Sequence, residues 1–561
     1  MKLSHILFSS IALVGLLNQV NAETKPVLKK TKTAKSSSNT TTSTSSSPAK
    51  LMKVAPAIGT TNAFAATAEK AKKPIINAEE DVEGPDLSQF ANPNINATSA
   101  DKPKDDAGGF GRVMKKTSTP KTAGITKANS IAKPLTSDVP QPIALPPGKK
   151  KHMIGYYAGW ANYARNGIYQ PKNSNFNHWT RMTYAFWQAD TSGYLHGTDE
   201  AKDGFMLFGD KFEGSEDITD TNIVWDVEFS TINKSYNDTV DLEMNLNRVN
   251  KTDGRFKRGT GMIDMAHKAG AEVYMSIGGW TLSSNFHYIA AKPLARKRFA
   301  QESVKILKEM RMDGIDIDWE YPAYKDHHGK PEDKQNAILF LQELRNALDE
   351  YGNKVGRKFG LTMAMSCSPF SMVPAYDFKG LNNVLNEFNL MSYDLHGAWD
   401  DVANHNANLY PNGIGPADLS VHGCVENYIK QGVPLQKLNI GAGFYGRHVK
   451  VADKPGAKQI GGADRGYWPD FGVHYWQIKE KWGSLKIHWD EDAQATWATY
   501  PGGFLSFETE KDMVVKADYI HKRNLNGVIV WETSEDAFMN SKTKKVENPL
   551  ADALFNAIER K

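Results

Sequence analysis

The first 150 residues of this 561-residue chain contain no tryptophan and no tyrosine, so all 13 Trp and 21 Tyr follow them. The segment instead repeats Lys, Ser, Thr, Ala and Pro, as in "KTKTAKSSSNTTTSTSSSPAK" and "PQPIALPPGKKK". A stretch of this composition cannot bury enough apolar surface to offset the entropy lost on ordering. We therefore interpret residues 23–150 as a low-complexity, disordered linker and not as a folded domain.

Long apolar runs are scarce, and no segment beyond the N-terminus is apolar enough to cross a membrane. The run Ile6–Leu17 spans about 12 residues, whereas a bilayer requires about 20. Lys2 precedes this run and the small residue Ala22 follows it, which is typical of a secretory signal peptide. We predict a signal peptide over residues 1–22 and a secreted protein, extracellular or periplasmic. A short buried helix is the alternative.

The formal charge of +4 arises from the linker, where Lys and Arg outnumber Asp and Glu by nine. The chain beyond residue 150 is therefore mildly acidic. The basic stretches lack interleaved aromatic residues and no nucleic-acid recognition motif is present, so we expect no nucleic-acid partner. The linker is interpreted as a solvated spacer, with electrostatic adhesion to a wall or acidic surface as the alternative.

Only two cysteines are present, Cys367 and Cys424, and neither has a His or Cys partner at zinc-site spacing. They fall on different predicted elements, a strand end and a helix. We therefore expect two buried thiols, although an exported protein permits a disulfide bridge. The Asn-x-Ser/Thr sites at Asn233, Asn237 and Asn250 would be modified only in a eukaryotic secretory route.

Beyond residue 150, short apolar runs alternate with amphipathic segments such as "LARKRFAQESVKILKEMRM" and "EDKQNAILFLQELRNALDEY". The apolar runs cover 153–160, 181–187, 271–280, 312–320, 358–366, 387–395, 437–446 and 525–532. Strands that alternate with helices indicate a parallel sheet. Eight such units over about 400 residues predict an α/β fold, a TIM (β/α)8 barrel over 151–561. A doubly wound sheet is the alternative, but no glycine-rich dinucleotide turn supports it.

Two of the connections are long, at about eighty residues each, after the second and after the seventh predicted strand. The later connection contains five tryptophans, at 468, 476, 482, 489 and 497. An insertion that follows the C-terminal end of a barrel strand rises beside the face where barrel enzymes keep their active sites. About half of these tryptophans are expected to form the core of the insertion itself.

The segment "DGIDIDWEYP", residues 313–322, carries several acids within a predicted buried strand. Residues two apart share a face of a strand. One face therefore carries the acids Asp316, Asp318 and Glu320. The other carries the apolar residues Ile315, Ile317 and Trp319. In a barrel the acids would face the axis and rise towards the C-terminal mouth, with Glu320 uppermost.

Three carboxyl groups at steps of about 6–7 Å cannot all ionise cheaply in a confined site. We predict that at least one pKa is raised, as a general acid requires near neutral pH. A divalent-metal site and a structural hydrogen-bond ladder are the alternatives. Asp313 is out of phase with the other acids, so we expect it to hydrogen-bond the start of the strand.

The same segment matches the Asp-x-x-Asp-x-Asp-x-Glu signature of family 18 glycoside hydrolases, the chitinases. Other strand-end motifs of the chain resemble that family's motifs in the same order, namely "SIGGW" (276–280), "MSYD" (391–394), "GFYGR" (443–447) and "GVIVWE" (527–532). The resemblance covers residues 152–560. It is greatest to secreted, chitinase A-like enzymes, which implies a small α+β insertion after the seventh strand, at about 448–508.

This resemblance implies a substrate-assisted, retaining mechanism. Glu320 would be the catalytic acid and base, and Asp318 would hydrogen-bond the acetamide N–H of the sugar. Asp316 would share a proton with Asp318, and Tyr393 would hold the acetamide carbonyl in line for attack. Because the substrate supplies the nucleophile, no metal and no organic cofactor are needed.

The resemblance also implies a substrate cleft lined with aromatic residues, because sugar rings present apolar C–H faces that stack on them. The residues assigned to substrate binding are Trp531, Asp394, Met391, Arg447, Trp280, Tyr156, Phe186, Trp160 and Tyr445. Trp531 would form the floor of the −1 subsite. Ordinary packing is the alternative for Met391, and a core tyrosine is the alternative for Tyr393.

The expected function is therefore that of a monomeric chitinase that hydrolyses the β-1,4 linkages of chitin and chito-oligosaccharides. Soluble or colloidal substrate is expected, because the first 150 residues have no Trp or Tyr for an aromatic-bearing module that grips crystalline chitin. One alternative is an endo-β-N-acetylglucosaminidase that acts on N-glycans or wall glycans. The others are a non-catalytic chitin-binding lectin, which typically lacks the acid present at Glu320, and a surface adhesin with a dormant barrel.

Overall fold

The computed structural model of the protein describes residues 139–209 and 259–560, apart from positions 164, 166, 461 and 471. The predicted signal peptide (1–22), most of the predicted linker (23–150) and the three Asn-x-Ser/Thr sites lie outside the described residues. No helix among the described residues is long and apolar enough to cross a bilayer.

Strands and helices alternate along the described chain. In chain order the strands are β1 (His152–Ala158), β2 (Arg181–Ala189), β3 (Leu195–Gly197), β4 (Glu272–Gly278), β5 (Gly314–Asp318), β6 (Gly360–Ser366), β7 (Glu387–Met391), β8 (Leu438–Gly443), β9 (Tyr445–Lys450), β10 (Gly472–His474), β11 (Lys486–Asp490), β12 (Ala495–Tyr500), β13 (Gly503–Ser506), β14 (Gly527–Trp531), β15 (Phe538–Met539) and β16 (Val546–Glu547). The helices are α1 (Glu200–Phe208), α2 (Met262–Lys268), α3 (Phe286–Ala291), α4 (Pro293–Met310), α5 (Asp333–Val355), α6 (Pro369–Ala375), α7 (Phe378–Asn382), α8 (Val421–Lys430), α9 (Tyr475–Glu480), α10 (Glu510–Arg523) and α11 (Pro549–Arg560).

Eight of the strands form a closed parallel barrel in the order β1, β2, β4, β5, β6, β7, β8 and β14. The ring closes because β1 pairs in parallel with both β2 and β14. Each barrel strand lies within one of the eight predicted apolar runs or extends beyond it by no more than two residues. The predicted (β/α)8 barrel is therefore confirmed, and the doubly wound alternative is wrong.

The alternation in β5 places its apolar residues under the helices. Ile315, Ile317 and Trp319 are fully or almost fully buried in the main core. The Trp319 ring lies 5.7 Å from that of Phe286 on α3 and 6.4 Å, edge on, from that of Phe340 on α5. This packing leaves the opposite face of β5, which carries the acids, to the inside of the barrel.

A second sheet lies between the seventh and eighth barrel strands. It is antiparallel and five-stranded, in the order β10, β9, β13, β12 and β11, and it is accompanied by α9. Trp468 is completely buried in it, in accord with a core role for part of the tryptophan set. The predicted α+β insertion is therefore confirmed.

The expectation of two free buried thiols is wrong, because Cys367 and Cys424 form a disulfide bridge. Cys367 directly follows β6, and Cys424 lies on α8, 57 residues further along the chain. The two elements meet because α8 packs beside the end of β6, where the hydroxyl of Tyr428 donates to the carbonyl oxygen of Ser366. The two cysteines do lie on different elements, as predicted, but these elements pack together, so their separation in sequence does not prevent a bridge.

Candidate active site

Asp316 lies inside the barrel on β5 and is completely buried. Its Oδ2 accepts hydrogen bonds from the hydroxyls of Tyr156 and Ser276, at 2.8 and 3.0 Å. Its Oδ1 accepts from the hydroxyl of Thr362 at 2.6 Å and from the side-chain amide of Asn389 at 3.0 Å. Burial raises the pKa of Asp316, and these four donors oppose that rise.

Asp318 lies one step nearer the mouth of the barrel and is 3% exposed. Its Oδ1 is buried and has no hydrogen-bond partner in the described part of the chain. Burial, the charge of Glu320 and the charge of Asp316 together hold the pKa of Asp318 well above its ordinary value. In the part of the chain that the structure describes, Asp316 and Asp318 are not hydrogen-bonded to each other. The sharing of a proton between these two acids therefore stays a prediction.

Glu320 follows the end of β5 at the mouth of the barrel and is half-buried. Its main-chain N–H donates to the hydroxyl of Ser283 at 3.2 Å, and its carbonyl oxygen accepts from Nδ1 of His327 at 2.7 Å. Burial raises the pKa of Glu320 to about 7; a hydrogen bond from Tyr321 opposes the rise and the charge of Asp394 adds to it. Glu320 therefore has the raised pKa that the acid pattern predicts.

Tyr393 and Asp394 lie just beyond β7 and face the same mouth. The pKa of Tyr393 is raised by burial and then by the charges of Asp318, Asp394 and Glu320. Asp394 has a left-handed backbone, with φ of 56°. Its main-chain N–H donates to Oδ1 of the buried Asn406 at 2.9 Å. Asn406 thus holds this strained position in place.

The carboxylate of Asp394 also accepts two hydrogen bonds from the guanidinium group of Arg447, which lies on β9 of the insertion. Nε and Nη2 of Arg447 lie 2.6 and 2.7 Å from its two carboxylate oxygens. The guanidinium lies over the ring of Tyr445 at 5.1 Å and that of Trp399 at 5.6 Å. This bidentate pair joins the insertion to the mouth of the barrel.

The predicted cleft aromatics gather around Trp531, the last residue of β14. The Trp531 ring lies 5.5 Å from that of Phe186, 5.7 Å from that of Tyr156 and 6.2 Å from that of Trp160. Met391 packs against the same cluster, which also contains Tyr393 and Tyr445. The barrel mouth therefore presents an aromatic surface beside the acids.

Trp280 and Asp313 lie away from that aromatic cluster. Trp280 stacks on the ring of His327, with ring centres 4.5 Å apart and ring planes 18° apart. Asp313 lies at the start of β5, where its carboxylate accepts from the main-chain N–H of Val273 at 2.6 Å and contacts His267 and Arg357. These contacts place Asp313 at the opposite end of the strand from Glu320.

Several residues of the site were absent from the sequence-based prediction. Ser276 and Thr362 are the direct register neighbours of Asp316 on β4 and β6, so their small polar side chains meet its carboxylate. The sequence gives no unambiguous signal for them, because each strand carries a second polar residue of the same parity, Glu272 on β4 and Ser366 on β6. His327 ends a short 3-10 helix (Lys325–His327) and Asn406 lies in a loop, and the sequence pattern has no signal for either.

The described residues contain no cluster of three His, Cys, Asp or Glu side chains arranged to hold a metal ion. The site is thus a parallel barrel whose mouth holds buried carboxyl groups beside aromatic side chains. Barrel enzymes place their catalytic residues at this end of the strands.

Residues 152–536 match glycosyl hydrolases family 18, and the chain belongs to that family. The resemblance inferred from the strand-end motifs is thereby confirmed, and the protein is a glycoside hydrolase.

The relatives in sequence include Endochitinase 1 of Metarhizium robertsii, 29% identical over 393 residues, which covers 68% of this chain and 80% of that protein. Chitinase A1 of Niallia circulans is 27% identical over 434 residues, covering 73% of this chain and 59% of that protein. Among solved structures, the Ostrinia furnacalis Group IV chitinase has a TM-score of 0.57 and 24% identity, covering 73% of this chain and 100% of that chain. The last likeness supports the fold.

Proposed function

We propose that this protein is a chitinase that hydrolyses the β-1,4 linkages of N-acetylglucosamine polymers with retention of configuration, and that Glu320 is its acid and base. The observation that carries the proposal is the carboxyl group of Glu320, whose pKa is about 7 at the mouth of a family 18 barrel. The relatives named above are described as chitinases, which favours chitin as the substrate.

In the proposed reaction, protonated Glu320 donates its proton to the glycosidic oxygen as the bond to the anomeric carbon breaks. The acetamido oxygen of the −1 sugar attacks that carbon and forms an oxazolinium ion. Glu320, now a carboxylate, accepts a proton from the incoming water. The water oxygen bonds to the anomeric carbon, and the oxazolinium ring opens to restore the acetamido group. The two displacements at the anomeric carbon give a β-anomeric product.

Asp318 is proposed to accept the acetamide N–H of the −1 sugar. This assignment is supported by its buried Oδ1, which has no partner among the described residues and would gain one from the substrate. Asp316 is fixed by four donors, so it acts as the stationary charge beneath Asp318. A proton held between these two acids would reduce the repulsion as Glu320 becomes a carboxylate.

Tyr393 is proposed to hold the acetamide carbonyl, and Trp531 is proposed to support the −1 sugar ring. Both belong to or pack against one cluster at the mouth, which supports a common role. Asp394 and Arg447 are proposed to hydrogen-bond the sugar, because their bidentate pair is partly exposed there. The other proposed binding residues are Tyr156, Phe186, Trp160, Trp280, Met391 and Tyr445.

An endo-β-N-acetylglucosaminidase would use the same acids and is the second candidate. The aromatic cluster around Trp531 favours chitin, because consecutive N-acetylglucosamine units offer repeated apolar faces for stacking. Secretion through the signal peptide and a monomeric state remain predictions of the sequence.

The product anomer tests the proposed function. On N-acetylglucosamine oligomers of four to six units, we expect the dimer as the main product, released as the β-anomer and followed by proton NMR before mutarotation. Retention is expected because the acetamido group occupies the anomeric carbon between the two displacements. Release of the α-anomer would overturn the mechanism. Binding without cleavage would indicate a lectin, and cleavage of N-glycan cores alone would indicate the second candidate.

The pH profile tests the role of Glu320. Because its pKa is raised from 4.5 to about 7, the protonated acid is present below pH 7 and is lost above it. We therefore expect kcat/KM for the tetramer to fall with rising pH through about 7. Asp394→Asn should move this basic limb to lower pH, because the charge of Asp394 contributes to the raised pKa of Glu320. Asp349→Asn on α5 is the control, and a limb unmoved in Asp394→Asn would contradict the prediction.

A further inference from the structure

His327 lies between the proposed acid and one of the proposed binding aromatics. Its Nδ1 is 2.7 Å from the carbonyl oxygen of Glu320. The face of its ring stacks on Trp280, with ring centres 4.5 Å apart and planes 18° apart. One side chain therefore contacts both the main chain of Glu320 and the indole of Trp280, which follow two different barrel strands.

The hydrogen bond has a defined direction. A carbonyl oxygen only accepts hydrogen bonds, so Nδ1 of His327 must carry the proton and donate it. The bond therefore fixes the peptide that follows Glu320, from which the side chain of the acid projects. Ser283 holds the peptide on the other side of Glu320 through its hydroxyl, at 3.2 Å. The main chain of Glu320 is thus restrained from both sides.

The loop that carries His327 is itself anchored in the core. The carbonyl oxygen of His327 lies 3.1 Å from Nε2 of His287, whose Nδ1 lies 2.9 Å from the carboxylate of Asp333. Both His287 and Asp333 are buried. Asp333 also accepts the main-chain N–H of Lys330 at 2.7 Å, which ties down the far side of the loop. His327 is therefore presented from a rigid base and not from a free loop tip.

We propose that His327 is a positioning residue for the proposed hydrolysis: its Nδ1–H fixes the main chain of Glu320, and its ring backs Trp280 so that the opposite indole face receives a sugar. The inference rests on the proposed function. In this proposal, the side chain of His327 sets the distance between Glu320 and the indole of Trp280 on which a sugar stacks.

The two contacts are chemically separable by substitution. In asparagine, the side-chain amide nitrogen takes the place of Nδ1 and preserves the donor, but the stacking ring is lost. In phenylalanine the ring is preserved and the donor is lost. A role in positioning the acid affects chemistry, whereas a role in backing Trp280 affects sugar binding, so the two variants should alter different kinetic constants.

The experiment measures kcat and KM of the full chain on the N-acetylglucosamine tetramer. For His327→Phe we expect KM to stay within about 2-fold and kcat to fall by about 3- to 10-fold, the range of one lost neutral hydrogen bond. For His327→Asn we expect kcat within about 2-fold and KM raised by about 3- to 10-fold, from loss of ordered stacking. His327→Ala should change both constants.

The matched control is His328→Asn, the neighbouring exposed histidine, whose left-handed backbone asparagine also adopts. It should leave both constants at the wild-type values. If the Phe and Asn variants both equal the wild type, the inference is overturned. If kcat falls and KM rises in both variants, and the melting temperature of both is lowered in proportion, then His327 has only a structural role. The inference is then likewise overturned.

Failure of the proposed function has a different signature. If the wild type does not cleave the tetramer, the proposed function is wrong, and kcat and KM of the variants cannot be measured. Tetramer affinity, measured by calorimetry, then decides the part that concerns Trp280. Weaker binding by His327→Asn with unchanged binding by His327→Phe supports that part, and equal binding by both overturns it.

Discussion

Replacement of Glu320 by glutamine is expected to lower kcat on the N-acetylglucosamine tetramer by about 10³-fold, within the range that general acid–base catalysis contributes. Glutamine has the same shape but carries no proton that can be transferred to the glycosidic oxygen. KM should change little, because the contacts with the bound sugar are retained. Steady-state kinetics with product detection by chromatography measures both constants.

The control for this variant is Glu302→Gln, which removes a buried carboxyl group from α4, outside the barrel mouth. It should retain wild-type kcat. The residual activity of Glu320→Gln should also lose the fall in rate near pH 7, because the group that titrates there has been removed. Retention of more than about a tenth of kcat would mean that another group is the acid.

The barrel was predictable because each strand carries its own signal. In β5, the alternation of acids with Ile315, Ile317 and Trp319 fixes which side chains enter the core before any partner strand is known. Period-two alternation and the amphipathic helices between strands are local properties, so they can be read from one segment at a time. The raised pKa of Glu320 was predicted from repulsion among the three acids, but it derives mainly from burial, with the charge of Asp394 adding to it.

The partners of the acids were not predictable, because they depend on how strands align and where loops travel. Ser276 and Thr362 contact Asp316 through the register of three strands, which no single strand specifies. His327 reaches Glu320 from a connection anchored on the buried side chains of His287 and Asp333. The bridge between Cys367 and Cys424 likewise depends on helix packing across 57 residues. Local patterns therefore identify the reacting groups, and tertiary structure supplies the groups that hold them.

Replacement of Arg181 by methionine is expected to destabilise the protein by about 3–5 kcal/mol at pH 7, the typical effect of leaving a buried charge without its partner. Arg181 and Glu387 are completely buried, at the end of the barrel opposite the active site, and their closest N···O distance is 2.8 Å. Methionine fills much of the same space but removes the cation from the carboxylate of Glu387 and from that of Glu272, whose closest oxygen lies 3.3 Å from Nε of Arg181. Urea unfolding followed by tryptophan fluorescence measures the change.

The pH dependence of this loss has a definite sign. Burial alone would raise the pKa of Glu387, but Arg181 and His152 lower it to about 2 from 4.5. In the wild type this pair therefore contributes stability that is present above about pH 4.5 and is lost as pH falls towards 2. In Arg181→Met, burial dominates and raises that pKa above 4.5. The deficit should be largest near neutral pH and should shrink as acid protonates Glu387.

Two further variants separate the buried charge from lost packing. The double variant Arg181→Met with Glu387→Gln removes both charges of this pair, so it should recover part of the stability and lose the part of the pH dependence that comes from Glu387. The carboxylate of Glu272, which also contacts Arg181, remains in both variants. Lys354→Met breaks a pair with Glu350 whose side chains are 41% and 64% exposed, and it should change the stability by less than about 1 kcal/mol. A deficit in Arg181→Met that persists unchanged in the double variant, or that grows towards low pH, would assign the loss to packing. The buried carboxylate of Glu387 would then not be what Arg181 stabilises.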